Sequence, residues 1–469
     1  MPRKHPLAAA LAALHWAALA LVWGRLAEVA WLRFPLDWDF LAYQLPGALQ
    51  TYGLTSYTPE PRLVAVIAGF PPLPRAIEGA FVLATGRFST ACALNLVAIA
   101  MLVAGLAWLH GRALSLRWLG TALLGVPLVV LHAISGYVDL FTGSALALAF
   151  AAFVELEPGA TRPRAGAALL VAALATAQLS KFQAWPIGAV VGAVALFRLA
   201  AQWRAGRLSR RATLGLLAAL VLALGAWPLR NLVEFHNPVY PVVFPIAPKL
   251  FPNASVDADS GVYNMPVWLA DAPRAERFLV SALELSRFRS GERFEWTIDQ
   301  SAQADASRSP HHRLGGWFWW TVAALALGSL RAVRARLVPR SAQLAFALSI
   351  AVVALLPQSH ELRYWLFIPL VLAQAAALAL ASPALGPQRG LRAGLCAGAA
   401  FVLFATRPFA IDARPPAELA PERAQAFWAA QRAQPRPEPV RVCNVNPNGI
   451  FYAGPTFREF RVVACFGDP

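Results

Sequence analysis

The sequence predicts an all-α, polytopic membrane protein of about eleven transmembrane helices. Two features carry this. Of its 469 residues, 58% are hydrophobic and 14% charged, where soluble domains carry about 25% charged residues. The apolar residues also fall into long runs, and the arginines sit in short clusters between them. Arg112 with Arg117, Arg162 with Arg164, Arg204 to Arg211, Arg331 to Arg340 and Arg389 with Arg392 are such clusters. That is how cytoplasmic loops fix orientation by positive charge. The net charge of +16 is therefore read as topology and not as a nucleic-acid surface, since no basic stripe carries interleaved aromatics.

With Arg3 and Lys4 holding the N-terminus on the cytoplasmic side, the first apolar run, 7–31, exits outward and is read as an uncleaved span. A polar outer loop follows, 33–89. Within it Pro74 to Thr85 is apolar but too short to cross, and is placed at the outer interface or as a re-entrant segment. Further spans are expected at 90–110, 117–134, 137–154, 165–182, 184–202 and 212–229. A long outer loop, 230–314, precedes spans at 315–331, 341–356, 362–382 and 393–409. This threading puts every arginine cluster on the cytoplasmic side. Residues 1–410 thus form the membrane domain, and 411–469 a small α/β outer domain with β-like runs at Val440–Val445 and Phe457–Phe466. Cys443 and Cys465 lie in that tail at a separation that permits a disulfide in an oxidising compartment.

The charged residues of the apolar body gather on the outer side. They are Asp37 and Asp39 in the first loop, Asp139 at the mouth of one span, Lys181 at the end of another, Arg230 and Asn231 ending a third, and His360 with Arg363 opening a fourth. Ionisable groups at membrane depth are costly and mark candidate sites. Each has a plainer reading. The three aspartates could cap helices, Lys181 could snorkel to the headgroups, and Arg230 and the His360/Arg363 pair could anchor the interface. Lys181 stands out because the chain has only Lys4, Lys181 and Lys249 and otherwise uses arginine. Cations around an apolar cleft suit a phosphate, and a carboxylate beside them suits a general base acting on a hydroxyl.

Three segments resemble motifs of the GT-C superfamily of integral membrane glycosyltransferases. Asp39-Phe-Leu-Ala-Tyr43-Gln44-Leu-Pro46 is similar to a first-loop motif of an aspartate followed by Tyr-His-Leu-Pro. Arg230-Asn231 with Asn237-Pro-Val-Tyr240-Pro resembles an Arg-Asn…Gly-Asn-Pro-Val-Tyr-Pro segment, and His360-Glu-Leu-Arg363-Tyr364 a late His-x-x-Arg-Tyr motif. Gln44 stands where the family has histidine, and His236 where it has glycine. The resemblance implies a polyprenyl-phosphate sugar as donor and inverting transfer to an extracytoplasmic lipid, glycan or protein at a bacterial inner membrane. Asp39 takes the place of the family's acidic residue, with Asp37 in support. Lys181, Arg230 and Arg363 would hold the donor phosphate. Tyr43, Gln44, Asp139, Asn231, His360 and Tyr364 would line the pocket. A divalent cation (Mg or Mn) is open, with Asp37, Asp39 and Asp139 as its ligands if any. Tyr263, Trp268 and Trp296 of the long loop either stack on sugar rings or form an interfacial belt. A lipid-linked-glycan flippase and a non-catalytic envelope-assembly protein are the rival readings. A flippase would favour charges near the membrane midplane.

Overall fold

The computed structural model describes residues 6–243, 249–254, 256, 267–285, 314–409, 411, 413–434 and 439–466. Nineteen α-helices form in that part of the chain. The first is α1 (Pro6–Leu32); the first loop then holds α2 (Leu45–Thr51), α3 (Pro61–Gly69) and α4 (Leu73–Thr85). The bundle continues with α5 (Ala93–His110), α6 (Leu116–Leu124), α7 (Pro127–Ala133), α8 (Asp139–Ala152), α9 (Pro163–Gln178), α10 (Ala184–Arg204) and α11 (Arg210–Phe235). The long loop carries α12 (Val267–Ala270) and α13 (Arg274–Ala282). Helices α14 (Trp319–Arg334), α15 (Arg340–Leu355), α16 (Phe367–Ala381) and α17 (Arg389–Thr406) complete the apolar body, and α18 (Pro416–Leu419) and α19 (Glu422–Ala433) lie in the tail.

Each apolar run expected to span is helical. Among the described residues six helices are long and apolar enough to cross a membrane, namely α1, α5, α8, α10, α11 and α17 with their short extensions. Two bent pairs raise the number to eight if each is one span: α3 with α4, bent by 102°, and α6 with α7, bent by 92°. The protein is therefore a multi-pass membrane protein. The gap to eleven has a geometric cause. Helices α9, α14 and α15 have 16 residues and α16 has 15, about 24 Å of helix against a hydrocarbon core of about 30 Å. Proline explains the α6–α7 break: Pro127 opens α7 and cannot donate to the preceding turn. Helix α8 is buried along its whole length and packs on α5, α9 and α16, so it is the axial helix of the bundle.

The tail does not close its own sheet. Strand β1 (Tyr57–Thr58) comes from the first loop, while β2 (Val440–Cys443) and β3 (Val462–Cys465) come from the tail. The sheet order is β1-β3-β2 and both pairings are parallel. Cys443 and Cys465 pair directly across β2 and β3 and are joined as a disulfide. The core beneath the sheet is shared: Phe451, Phe457 and Trp428 of the tail pack with Phe34, Phe40 and Leu45 of the first loop. The tail thereby supports the residue that follows Asp39.

The first loop also buries charge. Arg75 of α4 donates to the carbonyls of Ile67 and Phe70 at 2.6 and 2.7 Å, clamping the α3–α4 bend. Glu78, one turn on, is 1% exposed.

Candidate active site

The first-loop motif folds as a π-helical turn, Phe40–Gln44, running directly into α2. Such wide turns are rare and are frequent at functional sites. Asp39 precedes the turn with helical backbone and makes no capping bond through its side chain, so the capping reading does not describe it. Its carboxylate instead accepts from Arg363 Nη1 at 3.1 Å. Asp37 is used differently: its Oδ2 accepts from the backbone N–H of Gly136 at 2.8 Å, tying the loop to the mouth of α8. Gly136 is required there, because a Cβ would stand 2.2 Å from the Phe40 ring.

Arg363 is the hub. It lies in a single 3-10 turn, Leu362–Trp365, just before α16. Its Nε donates to Glu361 at 3.2 Å, its Nη1 to Asp39, and its Nη2 to the Tyr364 hydroxyl at 3.0 Å. Its guanidinium also lies over the Tyr137 ring, 4.6 Å from the centroid. Lys181 enters from the α9–α10 turn. Its Nζ donates to Asp139 at 2.5 Å and sits 4.0 Å from the centroid of the same Tyr364 ring. Asp139 lies in the first turn of α8, where carboxylates are favoured by the helix dipole. Its second oxygen faces His132 Nε2 at 3.6 Å.

One cluster thus gathers Lys181, Arg363, Asp39, Asp139, Glu361, Tyr137, Tyr364 and His132. All but Tyr364 are buried. Asp39 is the most accessible ion, its side chain 12% exposed against 5% for Arg363 and 8% for Lys181. Arginine has five N–H groups and lysine three. The bonds just described leave donors on both cations to meet an anion. Tyr43 is buried and packs edge-on against Phe70. Burial and the neighbouring Asp39 push its hydroxyl well above the usual range, so it remains a donor. Gln44 is buried in the same turn, and His360 is buried at the base of the Arg363 segment, its carbonyl accepting from Ser281 Oγ at 2.6 Å.

Arg230 and Asn231 are not brought into this cluster. Arg230 donates to the Ala68 carbonyl at 2.8 Å, pairs with Glu234, and stacks on Trp227 and Phe235. Asn231 donates to Gly69 O and Tyr240 O at 3.0 and 3.2 Å. The two join the end of α11 to the α3–α4 bend. The departure at His236 also acquires a physical meaning. His236 ends α11 with φ +55°, left-handed backbone that glycine adopts without cost. His236→Gly is expected to raise stability by about 1 kcal/mol, read as a higher melting temperature; a lower one would contradict this.

The three aspartates do not converge as a cation site. Asp37 turns to Gly136, Asp39 to Arg363 and Asp139 to Lys181. Among the described residues no group of three His, Cys, Asp or Glu side chains could hold a metal ion. Of the aromatic candidates in the long loop, Trp268 is exposed, and Tyr263 and Trp296 lie outside the described residues. Glu361, Tyr137 and His132 were not anticipated. Glu361 stood inside the quoted motif, and Tyr137 lay two residues from Asp139. His132, seven residues before Asp139, gave no local signal.

No family model and no curated protein matches the chain. Solved structures do, among them two of one protein. ArnT from Cupriavidus metallidurans bound to undecaprenyl phosphate matches with a TM-score of 0.52 at 14% identity, over 97% of this chain and 90% of that one. The same protein in the apo state matches with a TM-score of 0.53 at 15% identity, over 98% and 86%. This chain has the ArnT-like fold. The likeness takes in the tail as well as the bundle. Within the ArnT-like frame the charged cluster lies at the end of the bundle capped by the first loop, where Asp39, Asp139, Lys181 and Arg363 meet.

Proposed function

We propose that this protein is a glycosyltransferase that moves a sugar from a polyprenyl-phosphate donor to an extracytoplasmic acceptor. One observation carries the reading: Lys181 and Arg363, on different segments, flank a single tyrosine ring, Tyr364, beside the carboxylate Asp39. Two buried cations with donors to spare suit a phosphate at the membrane surface. A carboxylate next to them suits an incoming hydroxyl. The likeness to a protein solved with undecaprenyl phosphate supports the same ligand class.

In this mechanism the acceptor hydroxyl oxygen attacks the anomeric carbon while its proton passes to Asp39. The bond from that carbon to the phosphate oxygen breaks, and its electron pair stays on the phosphate, so the configuration inverts. Lys181 and Arg363 meet the charge that develops on the leaving phosphate. Tyr137 and Tyr364 hold the two cations by their ring faces. Asp139 and Glu361 orient them, and Tyr43 donates toward sugar or acceptor. Arg230, Asn231 and Asp37 keep the loops in register around the cleft. No step runs through a metal ion.

The cleft opens on the extracytoplasmic side of a bacterial inner membrane, with the N-terminus cytoplasmic and the tail outside. The arginine clusters between apolar runs support that orientation. The charges meet at one end of the bundle, which favours a one-sided active site over a through-path. The reading is tested by binding: full-length protein in detergent should bind undecaprenyl phosphate saturably, and Lys181→Met should weaken it. Equal affinity in the variant would contradict it.

A further inference from the structure

A cavity lies at the end of the bundle opposite the charged cluster. Helices α14 and α15 are consecutive and joined by residues 335–339, yet they diverge. α14 lies along α16 and α17, whereas α15 lies along α10 and α13. The wedge between them is a cavity of about 350 Å³, within the range of small-molecule pockets. Its walls are almost wholly apolar, with Leu330 and Val333 of α14 facing Ala342 and Phe346 of α15, and Val371 and Leu378 of α16 closing the back. The polar side chains at its edge turn into the protein. Ser329 donates to the Leu325 and Leu372 carbonyls, Gln343 to that of Val338, and Gln374 pairs with His110. Water would find few partners there, and an empty wedge would forfeit dispersion contacts along both helices.

The mouth is basic. Val333, Leu337 and Pro339 line the cavity, and the residues interleaved with them, Arg334, Arg336 and Arg340, are exposed. Glu157 meets this segment at Ser341, accepting from it at 2.6 Å, and also accepts from Arg198 at 2.7 Å. The cavity is separate from the charged cleft. Along α8, Asp139 belongs to the cleft and Ala151 to the cavity, about 18 Å apart at helical rise.

We infer that this wedge binds one acyl chain of an anionic glycerophospholipid, with its headgroup phosphate on Arg334, Arg336 and Arg340. The apolar walls select hydrocarbon, and the arginines select the negative head. The lipid would act as a wedge holding α14 and α15 apart. This inference does not depend on the proposed reaction.

The test reconstitutes the full chain in phosphatidylcholine vesicles with or without phosphatidylglycerol, then counts retained lipid by native mass spectrometry. Wild type is expected to retain one phosphatidylglycerol per chain and to prefer it over phosphatidylcholine. Ala342→Trp, which fills the wedge, should lose it. Ala326→Phe is a second filler at a less buried wall position, and should do the same while its melting profile shows a folded protein. Replacing the three arginines by glutamine should lower retention of phosphatidylglycerol by at least about tenfold. The inference is overturned if wild type retains no phosphatidylglycerol, or if both fillers retain it. It is also overturned if the two phospholipids are held equally, or if undecaprenyl phosphate displaces the lipid from the wedge.

Discussion

Asp39→Asn is expected to lower sugar transfer by about 10²–10⁴-fold, the range of a lost general base, while leaving donor binding largely intact. The substitution keeps the shape of the side chain and an oxygen for Arg363, but removes the group that takes the acceptor proton. Since Asp39 is the most accessible ion of the cleft, an acceptor can reach it without parting the buried Lys181–Asp139 pair. The measurement is initial rate at saturating donor beside a direct donor-binding curve. A variant that binds poorly but turns over normally would assign Asp39 to binding and leave the base to another carboxylate.

Arg363→Gln is expected to fail in both respects. Arg363 holds Glu361, Asp39 and Tyr364 through three different nitrogens, so its loss removes a phosphate ligand and disorders the base at once. It also leaves buried carboxylates without their cation, at about 3–5 kcal/mol of stability. Arg363→Lys should fall between, because one ammonium cannot serve three directions as a planar fork does. Melting temperature and transfer rate, taken together for both variants, check the order wild type, lysine, glutamine. A lysine variant with wild-type activity would show that charge alone suffices.

Much of the frame was legible in the sequence, because apolar length and arginine placement are summed over whole segments. Where the sequence was less informative, local geometry was the cause. The 15- and 16-residue helices read as full spans because the short 3-10 turns and breaks at their ends are also apolar. The tail read as self-contained, since nothing in Tyr57–Thr58 announces a strand that pairs parallel with Val462–Val463 some four hundred residues later. Of the candidate residues, Asp39, Asp139, Lys181, Arg363 and Tyr364 meet in one cleft, and each had stood out as charge or motif against an apolar background. Arg230 and Asn231 carried an equally strong motif but serve the α3–α4 bend. Sequence order could not separate a residue lining a cleft from one holding its wall. His132 was invisible for the converse reason, since a buried histidine beside an aspartate becomes meaningful only when the two are seen to face each other.

The most direct test is transfer itself. Membranes containing the wild-type chain would be given a panel of radiolabelled polyprenyl-phosphate sugars, with release of free polyprenyl phosphate followed alongside label in the acceptor fraction. The account predicts that one donor gives label transfer and matching release in the wild type, and neither in Asp39→Asn. Equal transfer and release in wild type and Asp39→Asn would contradict it.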